Sequence, residues 1–297
     1  MDPLVSFVVV NLNGIGRIGK CLEAIQAQSF SDFEVIAVDN GSSDGSAEFI
    51  EKNFPSARLI KNKSNLGFCA ANNQAIAASK GEFIATVNND VVLHKDYLRH
   101  MLNAAGSDER IGMVSCTRFF SSGKIECVGL ELLRGFRLVP TYDASKVFCP
   151  DDGACLWRKK MLEEISVSGE IYDNDFFIYH EDCDIGLRAR RLGWRCAFAE
   201  KAVAVHEGSA TTRGMGSMRP FLISRNSLLV IFKNLRAGEF FSRLPFILAD
   251  FFSELAGNFY FGEGIPFIKG KFSALPLLPK MLKKRKAFFE KVKSAGK

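Results

Sequence analysis

The chain lacks any run of about 18 uncharged residues, so the sequence predicts no helix that spans a membrane. Its start has no basic segment followed by an apolar core, and we therefore expect no secretory signal peptide. The eight cysteines form no Cys-x-x-Cys pair, and none is spaced from a histidine as in a zinc finger. We interpret them as free, mostly buried thiols of a cytoplasmic protein.

Charge is unevenly distributed along the sequence. The net charge is +6, but the segment from Lys269 to Lys297 alone holds ten Lys or Arg and one Glu, a charge of about +9. The rest of the chain holds 29 basic and 32 acidic residues and is slightly acidic. This asymmetry indicates an anionic partner for the C-terminal tail only, and we expect no nucleic-acid partner.

Short runs rich in Val and Ile alternate with segments of helix length. The predicted strands are Val5–Val10, Glu34–Val38, Arg58–Ile60, Phe83–Val87 and Met113–Cys116, and the predicted helices are Ile18–Gln26, Ser46–Asn53, Ala70–Ser79 and Tyr97–Ala105. Such alternation predicts an α/β fold with a mainly parallel central sheet and helices on both faces. Further on, we expect an inserted hairpin region at 117–150, a helix at 185–192 and extended runs at 195–199 and 202–206.

Polar residues follow each of the first four predicted strands. Ligands of parallel sheets bind beyond the carboxyl ends of the strands, so we expect these residues to lie on one rim. Turn formation explains any single segment of this kind, but four in succession favour a ligand site. The segments are Asn11-Leu12-Asn13-Gly14, Asp39-Asn40-Gly41-Ser42-Ser43-Asp44-Gly45, Asn65-Leu66-Gly67-Phe68 and Asn88-Asn89-Asp90.

Four positions could carry chemistry. Asp39 could accept a hydrogen bond from the imide N–H of uracil or thymine, although an acid that caps the next helix is the simpler interpretation of this residue alone. Asp90 offers an oxygen ligand to Mg²⁺ or Mn²⁺. The segment His180–Asp184 gathers three acids, more than helix capping requires, and it favours a functional role. His206 ends an extended run and, taken alone, is more simply a structural histidine.

Beyond Met218 the chain is rich in phenylalanine, with helical segments predicted at Phe221–Leu235 and Phe240–Phe261. In the second segment one broad apolar face contains Leu244, Ile247, Leu248, Phe251, Phe252, Leu255 and Phe259. With the Lys-rich tail, this face predicts a helix in an anionic membrane interface; the alternative is a helical pair packed on the catalytic domain with a solvated tail. We expect a catalytic domain over residues 1–218, a C-terminal extension over 219–297, and a location on the inner face of the cell membrane.

From Val5 to Asn234, these motifs resemble the inverting family 2 glycosyltransferases, especially the branch with bacterial rhamnosyltransferases and galactofuranosyltransferases. The segments that carry the resemblance are Asn11–Gly14, Val38–Gly45, Asn65–Asn73, Phe176–Asp184 with Arg188 and Gly193-Trp194, and Arg225-Asn226. The resemblance implies a fold of the glycosyltransferase-A type with a C-terminal helical extension. It also implies a divalent metal, Mg²⁺ or Mn²⁺, as cofactor.

The resemblance further implies residue roles. Asp182 is the expected general base, Asp90 and His206 the metal ligands, and Glu181 and Trp194 the acceptor-binding residues. The expected donor-binding residues are Asn11, Asn13, Asp39, Gly41, Asn65, Gly67, Asn88 and Asn89. Two positions depart from the family pattern. Asn88 replaces the first acid of an Asp-x-Asp motif, which predicts weaker cation binding, and Tyr172-Asp173-Asn174 replaces Phe-Asp-Glu, so that one supporting acid is absent.

The implied function is transfer of a sugar, with rhamnose as the first guess, from a nucleoside-diphosphate donor to a hydroxyl of a glycan or lipid-diphosphate-linked acceptor in cell-surface polysaccharide synthesis. One alternative is a nucleotidyltransferase, which needs a Gly-rich phosphate loop with Lys or Arg after the first strand, where only Arg17 and Lys20 lie nearby. The other is an inactive, membrane-associated partner of a glycan-assembly complex. Asn88 favours it weakly, whereas the intact Asp90 and Asp182 argue against it.

Overall fold

The computed structural model describes residues 2–208 and 215–295. In chain order its elements are β1 (Val5–Asn11), α1 (Ile18–Gln26), β2 (Phe33–Asp39), α2 (Ser46–Asn53), β3 (Arg58–Lys61), α3 (Phe68–Ala78), β4 (Phe83–Val87), β5 (Val91–Leu93), α4 (Tyr97–Gly106), β6 (Ile111–Phe120), β7 (Ile125–Cys127), β8 (Gly129–Leu132), β9 (Leu138–Thr141), β10 (Ala154–Arg158), α5 (Lys159–Ile165), α6 (Glu181–Arg191), β11 (Arg195–His206), α7 (Met218–Asn234), α8 (Ala237–Tyr260), α9 (Gly264–Ala274) and α10 (Leu278–Ala295).

One mixed sheet forms the centre of the fold, with the strand order β3-β2-β1-β4-β10-β6-β11-β5 and with β7 paired to β6. Strands β3, β2, β1 and β4 are parallel, whereas β10 is antiparallel to both of its neighbours. The α/β class is as predicted, but the sheet is mixed rather than mainly parallel. The β8–β9 hairpin forms a separate two-stranded sheet in the region where an inserted hairpin was predicted.

The alternation of side chains along β1 explains why helices cover both faces of the sheet. Val5, Phe7 and Val9 point to one face and pack with α1 and α4, while Val8 points to the other face and packs with α3, α5 and α6. Two apolar cores therefore enclose the sheet. The eight cysteines are free thiols and seven of them are buried, in agreement with the sequence interpretation.

Small shifts in element boundaries change how the site is built. Strands β1 and β2 extend to Asn11 and Asp39, so these side chains leave from strand ends instead of from flexible loops. The extended runs predicted at 195–199 and 202–206 form one strand with a bulge, β11. Helix α6 begins at Glu181, earlier than predicted, and this places the acids in its first turn.

The C-terminal helices pack on the sheet domain around a buried ion cluster. Lys233 of α7 lies 2.7 Å from Asp173 and 2.8 Å from Asp184, and Lys284 of α10 also pairs with Asp173. Arg188 of α6 pairs with Asp184 at 2.7 Å. Burial alone would raise the pKa of Asp173, but the two lysines outweigh it and lower that pKa. Because buried charges require partners, this cluster fixes α7 to α6 and fixes both α7 and α10 to the segment before α6.

The basic segment near the C-terminus is mostly a packed helix, α10, rather than a free tail. Met281 and Phe288 are buried, seven residues apart on one stripe of the helix, and Lys284 is buried beside them. The exposed lysines of this helix are Lys280, Lys283, Lys286, Lys291 and Lys293. Within residues 2–208 and 215–295, no helix combines the length and the apolarity that crossing a bilayer requires.

Candidate active site

The site lies at the carboxyl ends of the central strands. Asn11 and Asp39 are opposite each other in the β1–β2 register, and Asp90 follows β4 after two asparagines. Strand β10 is antiparallel to β4, so its amino-terminal end, and the Asp151-Asp152-Gly153 turn before it, reach the same rim. We call the part around Asn11 and Asp39 the donor half and the part around Asp152, Glu181 and Asp182 the acid half.

Buried Asn11 connects three strands of the donor half. Its Nδ2 donates to Asp39 Oδ1 at 3.0 Å and to Ser46 Oγ at 2.8 Å. Its Oδ1 accepts from Asn89 Nδ2 at 2.8 Å. The other oxygen of Asp39 accepts the backbone N–H of Ser42 at 3.0 Å. The predicted base-contacting carboxylate is thus held in place by neutral donors on both of its oxygens.

Asn40 fixes the second donor loop against the end of β2. Its Nδ2 donates to Asn65 Oδ1 at 2.9 Å, and its Oδ1 accepts the N–H of Leu66 at 3.1 Å. Gly41 has a φ of +84°, and a Cβ on it would stand 2.7 Å from the backbone of Ser64. Only glycine allows the two loops to approach so closely.

Asn13 and Gly67 lie at the edges of the donor half. Asn13 is exposed, and its Oδ1 accepts the N–H of Ser43 at 2.9 Å. Gly67 has a φ of +89°, and a Cβ there would stand 2.5 Å from the ring of Phe177. Phe177 belongs to the segment that leads into α6, so the donor half touches the segment that carries the predicted base.

The two predicted metal ligands face each other. His206 Nε2 lies 3.4 Å from Asp90 Oδ2, and His206 Nδ1 lies 3.0 Å from Glu126 Oε1. Hydrogen bonds to Asp90 and Glu126 raise the pKa of His206 to about 9, so a cation would compete with a proton for this ring. A carboxylate on the second ring nitrogen is usual for metal-binding histidines.

This pair of ligands fits a metal only in part. Among the residues that the structure describes, no group of three or more His, Cys, Asp and Glu side chains is arranged to hold an ion. Asp90 and His206 supply one oxygen and one nitrogen, which suits a divalent cation that takes further oxygen ligands from a bound diphosphate. Asn88 adds no charge to the site. It is half-buried, and its backbone N–H donates to the carbonyl of Gly153 at 2.9 Å.

Arg118 of β6 connects the metal pair with the acid half. Its Nε lies 2.6 Å from Glu126 Oε2, and its Nη1 pairs with Asp151. Burial favours the neutral form of Asp151, but the guanidinium outweighs this effect and lowers the pKa of that carboxyl. A continuous chain of polar contacts therefore runs from Asp90 to the residue beside Asp152.

Three carboxyl groups of the acid half have few partners. Burial raises the pKa of Asp152 to about 7, and burial together with the charge of Asp182 raises the pKa of Glu181 well above its usual range. Burial and the charge of Asp151 raise the pKa of Asp182 to about 6. Within the described part of the chain, Asp152 Oδ2 and Glu181 Oε2 are buried with no hydrogen-bond partner. Carboxyls tuned in this way are suited to proton transfer.

The backbone is strained just before these acids. Phe177, Tyr179 and His180 have φ values of +66°, +75° and +69°. Residues with a Cβ rarely adopt such angles, and they persist only where the surroundings hold them. The strained residues place Glu181 and Asp182 at the start of α6, facing the rim.

Two side chains of α7 hold the strained segment. Asn226 Nδ2 lies 2.8 to 2.9 Å from three backbone carbonyl oxygens, those of Phe176, Ile178 and Tyr179. Arg225 Nη2 donates to the carbonyls of Asp175 and Phe176 at 2.9 and 2.8 Å. The Arg225-Asn226 pair that the sequence singled out thus supports the segment that presents the acids, although it comes from the C-terminal region.

The structure does not bring Trp194, an expected acceptor-binding residue, to the rim. Trp194 is buried and its Nε1 donates to Glu164 at 2.9 Å. Its ring packs beside Gly112 at the start of β6, whereas Arg118 marks the rim near the end of that strand. Six strand residues separate the two positions by about 20 Å. Trp194 is therefore a core residue that stabilises the turn between α6 and β11.

Four site residues were not predicted from the sequence: Arg118, Glu126, Asp151 and Asp152. The acidic pair directly before an apolar run was a usable signal, because the end of any strand in the sheet can reach the ligand edge. Asp151 and Asp152 reach the rim only because β10 is antiparallel to its neighbours, and this direction cannot be predicted from the local sequence. Arg118 and Glu126 lie in the glycine-interrupted region and have no local motif.

Solved structures share this architecture. The structure of Staphylococcus aureus TarS 1-349 in complex with UDP-GlcNAc has a TM-score of 0.62 and 18% identity, and the match covers 99% of this chain and 90% of that chain. The mannosyltransferase PcManGT from Pyrobaculum calidifontis, in complex with GDP-Man and Mn²⁺, has a TM-score of 0.60 and 17% identity, with 99% and 87% covered. These neighbours have the glycosyltransferase-A fold, so the predicted fold type is confirmed.

Residues 6–166 match the model of glycosyl transferase family 2, and the chain belongs to this family. A putative glycosyltransferase of Bacillus subtilis, EpsH, is 34% identical over 108 residues, which are 36% of this chain and 31% of EpsH. The succinoglycan biosynthesis protein ExoO of Rhizobium meliloti is 34% identical over 104 residues, 35% and 30% of the two chains. The uncharacterized protein y4gI of Sinorhizobium fredii is 27% identical over 230 residues, 70% and 25%. The chain thus spans about a quarter to a third of these relatives.

Proposed function

We propose that the protein is an inverting glycosyltransferase that moves a sugar from a nucleoside-diphosphate donor to a hydroxyl of a glycan or lipid-linked glycan. The observation that carries the proposal is the joining of two specialised halves on one rim. The donor half holds Asp39 in a network of neutral donors, and the acid half holds Asp182 with a raised pKa. Both halves are needed for one displacement reaction.

Asp182 is the general base of the proposed reaction. Its carboxylate takes the proton of the acceptor hydroxyl while the hydroxyl oxygen bonds to the anomeric carbon. The bond from that carbon to the diphosphate oxygen breaks on the opposite face, so the configuration inverts. A pKa of about 6 leaves Asp182 ionised at neutral pH and more basic than an ordinary carboxylate. Glu181, next to it, contacts the acceptor.

The donor half binds the nucleotide. Asp39 accepts the imide N–H of a uracil or thymine base, and the strand-end loops around it surround the ribose and diphosphate. The residues that we assign to the donor are Asn11, Asn13, Asp39, Gly41, Asn65, Gly67, Asn88 and Asn89. The dense hydrogen bonds among them support this role, because a preformed site loses little entropy when the donor binds.

Asp90 and His206 hold the divalent cation, Mg²⁺ or Mn²⁺, and Glu126 orients the imidazole. When bound, the cation neutralises negative charge on the departing diphosphate. We predict that Glu126→Gln weakens Mn²⁺ binding by about 10- to 100-fold, measured by titration calorimetry in the presence of nucleoside diphosphate. Glu200→Gln, an exposed acid on β11, is the matched control. An unchanged Mn²⁺ affinity in Glu126→Gln would refute this orienting role.

The finer assignments come from similarity. Rhamnose from a dTDP donor is our first choice of sugar, because the motifs resemble the rhamnosyltransferase branch. Polysaccharide synthesis as the pathway is supported by ExoO, which is a succinoglycan biosynthesis protein. A divalent metal is supported by PcManGT, whose structure contains Mn²⁺. Residues 1–218 are the proposed catalytic domain, and residues 219–297 are the proposed extension that brings the protein to the inner face of the cell membrane.

A donor screen tests the proposal. The purified protein is incubated with a glycan acceptor and with dTDP-rhamnose, UDP-GlcNAc or GDP-mannose, with and without Mn²⁺, and the products are identified by mass spectrometry. We expect release of the nucleoside diphosphate from one donor and a glycosylated acceptor with inverted anomeric configuration. In a parallel incubation with a nucleoside triphosphate and a sugar 1-phosphate, release of pyrophosphate with formation of the nucleotide sugar would instead indicate a nucleotidyltransferase. No reaction with any donor, together with donor binding, would indicate an inactive partner of a glycan-assembly complex.

A further inference from the structure

The exposed apolar surface of the protein is concentrated at one place. Of the 17 large apolar residues that are exposed within the described chain, eleven lie between residues 241 and 282, in helices α8 to α10 and their connections. Scattered single residues of this kind are normal on a soluble protein, but a dense group marks a surface that contacts something.

The densest part is the turn between α8 and α9, which we call the aromatic tip and define as Phe259, Tyr260, Phe261 and Ile265. Tyr260 is 84% exposed, Phe261 78% and Ile265 65%. Gly262, with a φ of +78°, has no atom within 4 Å of the place where a Cβ would stand. The tip therefore projects from the protein instead of lying along a groove.

The rest of α9 explains how the tip is held. One face of α9 packs on α7: Ser224 Oγ donates to the carbonyl of Phe267 at 2.6 Å, and a Cβ on Gly270 would stand 2.3 Å from the carbonyl of Phe221. The opposite face is exposed and continues the tip with Phe272, which is 67% exposed. A rigidly seated helix thus presents an apolar face to the outside.

Positive charge accompanies this apolar face. Lys269 is exposed on the same side of α9, one turn after Ile265 and one turn before Phe272. Lys283, Lys286 and Lys293 are exposed on α10. Within the described residues, no carboxylate forms an ion pair with any of these four lysines. An apolar face that contains an unpaired lysine, with further exposed lysines on the next helix, is complementary to a bilayer with anionic headgroups.

We propose that the aromatic tip inserts into an anionic lipid bilayer and orients the acceptor side of the site toward the membrane surface. The second part rests on the proposed function. Helix α7 supports it, because the helix that seats α9 through Ser224 also holds the segment before the acids through Asn226. A projecting turn suits insertion into a bilayer better than pairing with a second copy, which requires a broad self-complementary surface.

Vesicle binding tests the inference. The full chain is sedimented with phosphatidylcholine vesicles that do or do not contain phosphatidylglycerol, at low and high salt. We expect binding that requires phosphatidylglycerol and falls at least about tenfold in a variant with Tyr260→Ser, Phe261→Ser and Ile265→Ser, because apolar surface is lost from the interface. Lys269→Glu weakens binding at low salt and much less at high salt, where charges are screened.

The matched control is Tyr142→Ser, which removes a tyrosine of 69% exposure that does not belong to the tip and leaves vesicle binding unchanged. Donor turnover on a water-soluble acceptor is measured for every variant and stays at the wild-type rate, which also shows that the tip variant is folded. Turnover without vesicle binding overturns the inference and leaves the proposed function standing. If the protein does not bind vesicles but forms a dimer in solution that the tip variant cannot form, the inference is overturned, and the tip contacts a second copy of the chain instead. If only the tip variant loses vesicle binding and no donor is turned over, the insertion of the tip is supported and the proposed function is refuted.

Discussion

The two halves of the rim are built from opposite chemistry. In the donor half, amide and hydroxyl groups satisfy one another, and both oxygens of Asp39 accept hydrogen bonds. In the acid half, buried carboxyl oxygens of Asp152 and Glu181 have no hydrogen-bond partner among the described residues. Buried polar groups in proteins are usually paired, so the acid half is the exceptional part.

This difference suits the donor half to recognition of the donor and the acid half to proton transfer. A saturated network is rigid and holds a ligand in one orientation, whereas unpaired buried carboxyls have raised pKa values and can exchange protons. Unpaired groups and a strained backbone cost stability, and here the cost is offset by α7, whose Asn226 and Lys233 hold the segment before α6 and its buried aspartates. The C-terminal region therefore contributes to the acid half without reaching the rim.

The largest expected effect comes from removing the base. Asp182→Asn keeps the size of the side chain but cannot take a proton, so kcat should fall by about 100- to 10,000-fold. Donor affinity should stay unchanged, because the donor half is separate. Stopped assays with the preferred donor measure kcat, and calorimetry with the nucleoside diphosphate measures binding. Near-normal turnover in this variant would show that another group is the base.

The next effect tests whether α7 positions the acids. Asn226→Ala removes the donor to three carbonyls of the strained segment. The displaced acids should then lower kcat by about 10- to 100-fold while the KM for the donor stays the same. Ser227→Ala, at the neighbouring position of the same helix, is the control. A loss of stability with unchanged kcat at permissive temperature would limit Asn226 to a structural role.

The donor half should respond in the reverse manner. Asp39→Asn replaces an acceptor oxygen by a donor N–H, and donor affinity should fall about tenfold because one hydrogen bond to a charged group is lost. The value of kcat at saturating donor should change little. Calorimetric titration with UDP or dTDP gives the affinity. If kcat fell and affinity did not, the two halves would not be separable.

Much of the donor half was predictable, because its residues follow strands that alternate in the usual way. Asn11 and Asp39 end two buried parallel strands, and parallel strands bring their carboxyl ends together without further information. The acid half was predictable only at Glu181 and Asp182, where the density of acids was visible in sequence. Asp152 was missed because the direction of β10 depends on tertiary structure.

The C-terminal region shows the same limit. A run of lysines indicates a solvated tail when only local charge is considered, but Lys284 is buried because Asp173, far away in sequence, is its partner. The apolar face predicted for the Phe-rich helix is likewise divided: Ile247 and Phe251 are partly covered, whereas Phe252 and Phe259 are exposed. Periodicity predicts that a face exists, and only tertiary contacts decide which part of it is covered.

The smallest expected effect is a displacement of the pH profile, which tests why the pKa of Asp182 is raised. A base acts when deprotonated, so kcat/KM should rise with pH through about 6, the pKa to which burial and the charge of Asp151 raise Asp182. Asp151→Asn removes that charge, and the rising limb should move to lower pH. Asp143→Asn, an exposed acid on the surface, should leave the limb in place.

Unfolding in acid cannot imitate this result through Asp182 itself. Its pKa is higher in the folded protein than in the unfolded chain, so protonation of this group favours the folded state, and its ionisation costs stability as the pH rises. Thermal melts across the rising limb should therefore show no destabilisation from this group on the acid side. If the rising limb stays fixed in Asp151→Asn, or moves to higher pH, the charge of Asp151 does not raise the pKa of the base. Burial alone would then account for the raised pKa that distinguishes the acid half from the donor half.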